Sequence, residues 1–373
     1  MIKEVIAKSL LRKYKKVDSW FLAAYGMNIY RGCHHNCTYC DGRSEGYCID
    51  GEFGKDIQVK INAPELLNRE LDPTRKRKPM RKGYIVTGGG VGDAYQPVEK
   101  KYGLSRKILE IIKHYKHPVH ILTKSSLIVR DIDIIKEINN QNRAIVSFSF
   151  SSMDDAIGEI MEPGLPSPVE RLEAISTLKK EGITCGIYFM PIIPLVTDTT
   201  EQIEKVYSKS REVGVDFMTY GAMTLKPGKQ KDHFLHALKQ YKPGIESDYK
   251  NIYLNNQWGG AKNEYYQVLN KRILEINKKY KIPLRIPPII YNDILDENDY
   301  ISVILEQIDN LLNLRGEKSP YGYAAWNISQ LPKPLSSYRN NLKSIKGVGN
   351  VTEKLILEIL NTGTCRYLLK LLS

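Results

Sequence analysis

Cysteine is scarce in this chain of 373 residues, six in all, and long apolar runs are missing. No stretch approaches the roughly 20 apolar residues that a bilayer-spanning helix needs. Met1 to Lys16 is cationic and partly apolar, yet it has neither an uninterrupted apolar core nor a small-residue cleavage site, so it does not read as a secretory signal. A cytoplasmic protein is expected, which suits free thiols. No internal repeat is visible. Acid is in deficit, with 42 Asp and Glu against 55 Lys and Arg and a net charge of +13. That balance favours a polyanionic partner through counterion release and steering, although a solvated surface accounts for most of these lysines. The densest run, Arg75-Lys76-Arg77-Lys78-Pro79-Met80-Arg81-Lys82, fits phosphate contact and mere solvation equally.

What is present begins with an ordinary hydrophobic fraction of 42% and enough length for a main domain plus a smaller one. Phe21 to Tyr30 reads as a first strand, followed by strands at Tyr84–Thr87, Val119–Thr123, Ala144–Phe150, Thr184–Met190 and Val215–Tyr220. Helical spacing fills the gaps, for example Leu104, Ile108, Leu109, Ile111 and Ile112. One helix start is explicit: Ser167 as N-cap, Pro168 in the first turn and Glu170 to close a capping box. Gly182 should end that helix, and Gly214 the next one, from about 201 to 213. Strands alternating with helices predict an α/β fold with a parallel sheet, and six units predict a partial (β/α)6 barrel rather than a closed eight-stranded one. In such folds chemistry gathers at the C-terminal strand ends.

The first strand delivers Arg31-Gly32-Cys33-His34-His35-Asn36-Cys37-Thr38-Tyr39-Cys40-Asp41, half of the chain's cysteines in one loop. Three thiols so spaced can converge on one inorganic centre. A structural zinc site or an electron-transfer cluster closes its shell with four protein ligands. Three thiolates on a four-iron cube leave one iron open for a substrate or cofactor. The competing reading is zinc, completed by His34, His35 or a distant residue.

The spacing, with Tyr39 in the aromatic slot before the last cysteine, resembles the radical S-adenosylmethionine (SAM) superfamily. The wider text resembles the spore photoproduct lyase, or photolyase-like, family within it. The matching segments are Asn28-Ile29-Tyr30-Arg31-Gly32-Cys33, Asp93 to Lys100, Thr123-Lys124-Ser125 with Arg130-Asp131, Met161-Glu162-Pro163, Ser167-Pro168, Arg171-Leu172 and Pro191-Ile192-Ile193-Pro194. They span about residues 18 to 225. The resemblance implies a 4Fe-4S cluster and S-adenosylmethionine as cofactors, a 5'-deoxyadenosyl radical, and an electron donor such as a flavodoxin or ferredoxin. Cys33, Cys37 and Cys40 are implied as cluster ligands, with Tyr39 near the adenine. Gly88, Gly89 and Gly90 would meet the cofactor's amino group through backbone, although the acidic residue that often follows is missing. Lys124 is implied at the cofactor carboxylate or ribose, and Ser149 at a ribose hydroxyl with Ser151 sharing that work. Sheet-end hydroxyls that satisfy backbone are the plainer reading of both serines. Glu162 and Arg171 would order this edge of the barrel, a structural ion pair competing with direct contact. One departure matters: the cysteine with which the lyase returns a hydrogen atom matches Gly90 here. Asp41 likewise replaces a tyrosine-like residue. Cys48 and Tyr95 are the remaining candidate hydrogen donors, with Cys185 and Cys365 expected to be buried or incidental.

Beyond residue 225 the composition turns Lys-, Asn- and Tyr-rich, with helical segments at Tyr265–Asn277 and Ile301–Leu314. Near the end, Ile345-Lys346-Gly347-Val348-Gly349-Asn350 between two helical stretches resembles a helix-hairpin-helix. Its glycines would let backbone amides approach a phosphate, making Lys346, Gly347 and Gly349 candidate nucleic-acid contacts. A plain turn between packing helices is the competing reading. The expected organisation is a barrel at 1–225, a helical extension at 226–335 and the hairpin segment at 336–373. Three functions follow as alternatives: a radical enzyme on nucleic acid, whether DNA-lesion repair of the lyase type or base modification; a radical enzyme on a peptide or small molecule; or a zinc-dependent nucleic-acid-binding protein. For the first, a flipped nucleotide or a single strand is the expected substrate form.

Overall fold

The computed structural model describes residues 1–47, 51–76, 79–254 and 256–372. Its centre is a sheet of six parallel strands: β1 Ala23–Met27, β2 Tyr84–Thr87, β3 Val119–Thr123, β4 Ala144–Phe150, β5 Thr184–Ile192 and β6 Phe217–Ala222. Each pairs with the next in chain order, and an antiparallel strand, Arg12–Lys13, lies along the free edge of β1. Every residue of β1, β2 and β4 is buried, as expected of parallel strands covered on both faces. Helices Ala63–Leu71, Leu104–His114, Ile132–Gln141, Pro168–Lys180 and Thr200–Glu212 form the five crossovers. The predicted α/β partial barrel is therefore the observed one.

Strand cores match the expectation, whereas some ends do not. The first strand stops at Met27, because Tyr30–Arg31 leaves the barrel to pair with Ile57–Lys60 in a separate three-stranded sheet with Ile2–Val5. That small sheet holds the start of the cysteine loop at Arg31. The fifth strand runs on to Ile192, taking in Pro191, and continues to pair with β6 at Ala222. The sixth starts two residues late, since the Val215 amide still donates to the Ser210 carbonyl of the preceding helix. The capping box is present: the Glu170 amide donates to Ser167 Oγ at 3.2 Å, and the Ser167 amide to Glu170 Oε2 at 2.8 Å. Gly182 and Gly214 follow their helices with φ of +74° and +68°, left-handed geometry that glycine adopts without strain.

The C-terminal region covers the opposite end of the barrel. The Met218 amide donates to the Pro283 carbonyl at 2.8 Å and the Tyr84 hydroxyl to the Ile290 carbonyl at 2.9 Å, both near strand N-termini. Helices Asn263–Tyr280, Glu297–Leu314, Tyr321–Ser329 and Asn350–Thr362 follow, and their buried faces join the barrel's own core. One end of the barrel is thus closed by protein, which leaves the C-terminal strand ends to hold ligands. None of the described helices is long and apolar enough to cross a membrane.

Ser167→Ala should lower stability by about 1 kcal/mol, the usual cost of losing an N-cap. Denaturant unfolding followed by far-UV circular dichroism would measure it.

Candidate active site at the barrel mouth

Cys33, Cys37 and Cys40 all line one cavity of about 440 Å³ at the C-terminal ends of the strands. Backbone bonds between residues three apart wind the loop, with the Asn36 amide donating to Cys33 O and the Cys40 amide to Cys37 O. Gly32 turns at φ +82°, where a Cβ would stand 2.5 Å from the Asp56 carbonyl. Arg43, buried against the Phe53 ring, donates from Nε to Cys37 O at 3.1 Å and from its terminal nitrogen to Asn36 Oδ1 at 2.6 Å. Asp41 anchors the far end by accepting from Thr224 Oγ1 at 2.6 Å and Lys226 Nζ at 2.7 Å, beyond β6.

Burial pushes all three thiols up, Cys37 to about 12 against the pull of Lys124. Metal binding must displace their protons. Among the described residues no three His, Cys, Asp or Glu side chains close on one point tightly enough for a single ion. The thiols line a space instead, and three soft donors around a cavity fit a cluster.

Glu162 is the hub beside them. At 3% exposure, its Oε1 accepts from Tyr39 Oη, from Ser151 Oγ at 2.8 Å and from Lys124 Nζ at 3.0 Å, while Oε2 accepts from Arg171 at 2.9 Å. Burial alone would raise its pKa, but Lys124, Arg171 and the hydrogen bonds outweigh burial and hold the carboxyl well below its ordinary value of 4.5. Lys124 Nζ, 5.6 Å from the centre of the Tyr39 ring, is thereby fixed on the cavity wall.

A second buried carboxylate, Asp93, went unassigned in the sequence. It accepts from Thr123 Oγ1, the Lys124 amide and the Tyr95 amide, each at 2.8 Å, and pairs with His35 Nε2 at 3.2 Å. It therefore ties the cysteine loop to the end of β3. The available signal was an acid in the first turn after a glycine run at a strand end.

The other expected residues divide. Gly88 and Gly90 line the cavity with φ of +81° and +83°, and a Cβ on Gly88 would stand 2.0 Å from Leu122 O. Gly89 lines a neighbouring groove instead. Ser149 reaches the cavity, but its hydroxyl donates to Met190 O at 2.8 Å. Ser151, Glu162 and Arg171 stand behind the wall, linked to it through Lys124 and Tyr39. Tyr95 is 1% exposed and does not line the cavity, so the structure does not bring this candidate hydrogen donor to the mouth. Cys48 lies outside the described residues, as do Arg77 and Lys78 of the basic run. Lys346, Gly347 and Gly349 sit in the C-terminal region, away from the cavity lining. Gly347 turns at φ +87° against the Ala324 backbone, whereas Gly349 caps the helix Asn350–Thr362 with open space beside it.

A cluster-holding loop above a six-stranded parallel barrel defines an iron–sulfur enzyme that works through S-adenosylmethionine. Residues 27–209 match the radical SAM superfamily, and the chain belongs to it. Its cofactors are a 4Fe-4S cluster and S-adenosylmethionine, which sets the zinc reading aside. Residues 296–365 match a helix-hairpin-helix domain, a stretch that begins at Asp296, the N-cap of the helix Glu297–Leu314. An uncharacterised protein of Mycobacterium tuberculosis (strain ATCC 25618 / H37Rv) is 28% identical over 283 residues, 75% of this chain and 81% of that protein. One from Methanocaldococcus jannaschii is 31% identical over 214 residues, 57% and 75% of the respective chains. Among solved structures, spore photoproduct lyase complexed with dinucleoside spore photoproduct superposes with a TM-score of 0.55 at 15% identity, covering 75% of this chain and 79% of that one. That likeness is one of fold.

Glu162→Gln should destabilise the protein by about 3–5 kcal/mol at pH 7, because it strands two cations that the carboxylate neutralises. A depressed carboxyl contributes above its unfolded pKa and loses that contribution as pH falls through the folded one. The gap between wild type and variant should therefore narrow below pH 4.5. Urea unfolding at pH 7 and pH 3.5 would read it.

Proposed function

We propose that this radical SAM enzyme acts on nucleic acid, as a lyase-like repair enzyme for a DNA lesion or as a base-modifying enzyme. The helix-hairpin-helix match at residues 296–365 carries the reading. The exposed Lys346 and the amide end of the helix at Asn350 support it, as does the net charge of +13. When bound, the cluster and S-adenosylmethionine supply a 5'-deoxyadenosyl radical that takes a hydrogen atom from a substrate carbon.

The chain's own part is binding and orientation. Lys124, held by Glu162, presents a cation suited to the cofactor's carboxylate. The backbone at Gly88 and Gly90 allows close approach at the cavity wall. Cys33, Cys37 and Cys40 hold the cluster, reduced by an external one-electron donor such as a flavodoxin or ferredoxin. The fold likeness to a lyase bound to a dinucleoside photoproduct supports a nucleotide substrate. Gly90, which offers no thiol where the resemblance expects one, favours base modification as much as repair.

Anaerobically reconstituted, reduced enzyme should form 5'-deoxyadenosine faster with nucleic acid than without, and Cys37→Ala should form none. Comparing ultraviolet-irradiated DNA, intact DNA and RNA would separate repair from modification. Turnover indifferent to all three would overturn the nucleic-acid reading. At the hairpin, Gly349→Asp supplies a better N-cap yet places a negative charge where a phosphate would sit. Its melting temperature should hold or rise while oligonucleotide affinity falls about tenfold or more.

A further inference from the structure

The outermost strand of the barrel sheet, Arg12–Lys13, opens the run Arg12-Lys13-Tyr14-Lys15-Lys16, four cations in five residues, of which Lys16 pairs with Glu306. Arg12 and Lys13 pair with Gly26 and Tyr25 of β1, and the Tyr14 amide donates to Ala24 O. The segment therefore runs antiparallel to β1, from the closed end of the barrel at Lys16 toward the mouth at Arg12. Arg12, Lys13 and Lys15 are exposed.

Each end of this segment meets something of use. At the mouth, Arg12 and Tyr14 line a groove of about 510 Å³ together with Arg31, Lys60 and Tyr47, and no carboxylate is among its described lining residues. Gly90 lines both this groove and the cysteine cavity, so a single glycine-rich turn separates the two. At the closed end, Lys16 lies 6.0 Å from the centre of the Trp326 ring. Trp326 is 43% exposed and Tyr323 59% exposed, both on the helix Tyr321–Ser329. The Tyr323 ring stands against Gly347 of the hairpin. The basic loop joins the same path, Arg81 donating to the Lys15 carbonyl at 3.0 Å.

Hairpin, exposed aromatics, basic edge strand, cationic groove and cysteine cavity thus follow one another along one side of the molecule. We infer that this side is a track for an unpaired nucleic-acid strand, its phosphates on Arg12, Lys13, Lys15 and the Arg31–Lys60 groove, and its bases against Tyr14, Trp326 and Tyr323. The inference rests on the nucleic-acid reading above and specifies the form of the substrate. A single strand suits the track because alternating cations and aromatic faces bind a backbone and unstacked bases. A strand led to Gly90 would deliver one nucleotide to the cavity without opening a duplex. Lysines on a sheet edge also block edge-to-edge pairing, and that plainer role is what the experiment must beat.

The test uses full-length holoenzyme, held anaerobically, with fluorescent oligonucleotides titrated at several salt concentrations. The probes are a 12-nucleotide single-stranded DNA, its RNA counterpart and the matching duplex. Arg12→Gln/Lys13→Gln/Lys15→Gln should bind either single strand at least about tenfold more weakly. Its slope of log affinity against log salt should be shallower by about 2. Trp326→Ala should weaken binding about tenfold with the slope unchanged. Lys107→Gln/Lys180→Gln/Arg211→Gln, on outer crossover helices, should bind like wild type. If the edge-strand variant keeps wild-type affinity and slope while Gly349→Asp loses binding, the track is wrong and the nucleic-acid reading stands. Equal or tighter binding of duplex, with the same losses, overturns the single-strand form. No binding by wild type sinks both. Thermal melts of each variant show that losses are not unfolding.

Discussion

One buried carboxylate holds the catalytic end of this protein together. Glu162 ends a short helix after β4, yet it accepts from Tyr39 of the cysteine loop, Lys124 after β3, Ser151 after β4 and Arg171 of the following helix. Isolated burial of any of these charges would cost several kcal/mol. Burial as a set, with hydrogen bonds on both oxygens and two cations for one anion, offsets that cost and leaves a surplus positive charge. The surplus sits at Lys124, on the cavity wall. The same contacts that fix the cysteine loop therefore also prepare a site for an anionic group beside it.

The loop needs that support because buried thiols alone do not favour binding metal. Burial raises their pKa values, so the protein opposes thiolate formation until a metal compensates for it. Rigidity has to come from elsewhere, and four independent ties supply it. The small sheet holds the loop's start at Tyr30–Arg31. Asp41 reaches across to Thr224 and Lys226. Asp93 holds His35, and Glu162 holds Tyr39. The three cysteines are thus positioned by groups that carry no metal ligand of their own.

Much of this was legible in the sequence, and the limits have physical causes. The strands Tyr84–Thr87, Val119–Thr123 and Ala144–Phe150 read correctly to the residue, since each is a short run rich in apolar and β-branched side chains. Phe21 to Tyr30 did not. Its last residues look equally strand-like but pair with a different sheet, a choice made by Ile57–Lys60 far along the chain. Local pattern carries no record of such a partner. Side-chain networks were harder still. Glu162 and Arg171 stood out only through family resemblance, and Asp93 stood in a matched segment without a role because its four donors come from three separate segments. The run from Arg12 to Lys16 read as part of a solvated, cationic N-terminus, since nothing local says that it forms a sheet edge beside a cavity.

Gly90 narrows the chemistry from the other direction. At φ +83° and with nothing near the position of a Cβ, the strand end has room for a side chain but a backbone that disfavours one. The described cysteines outside the cluster loop do not compensate. Cys185 begins β5, remote from its C-terminal end, and Cys365 is buried in the C-terminal region; neither lines the cavity. Tyr95 is enclosed by protein. Among the described residues outside the cluster loop, then, no thiol or phenol lines this cavity, while Lys124 and the glycine backbone do. The cavity is built to generate and orient a substrate radical, and its described walls supply no hydrogen atom from sulfur to end it.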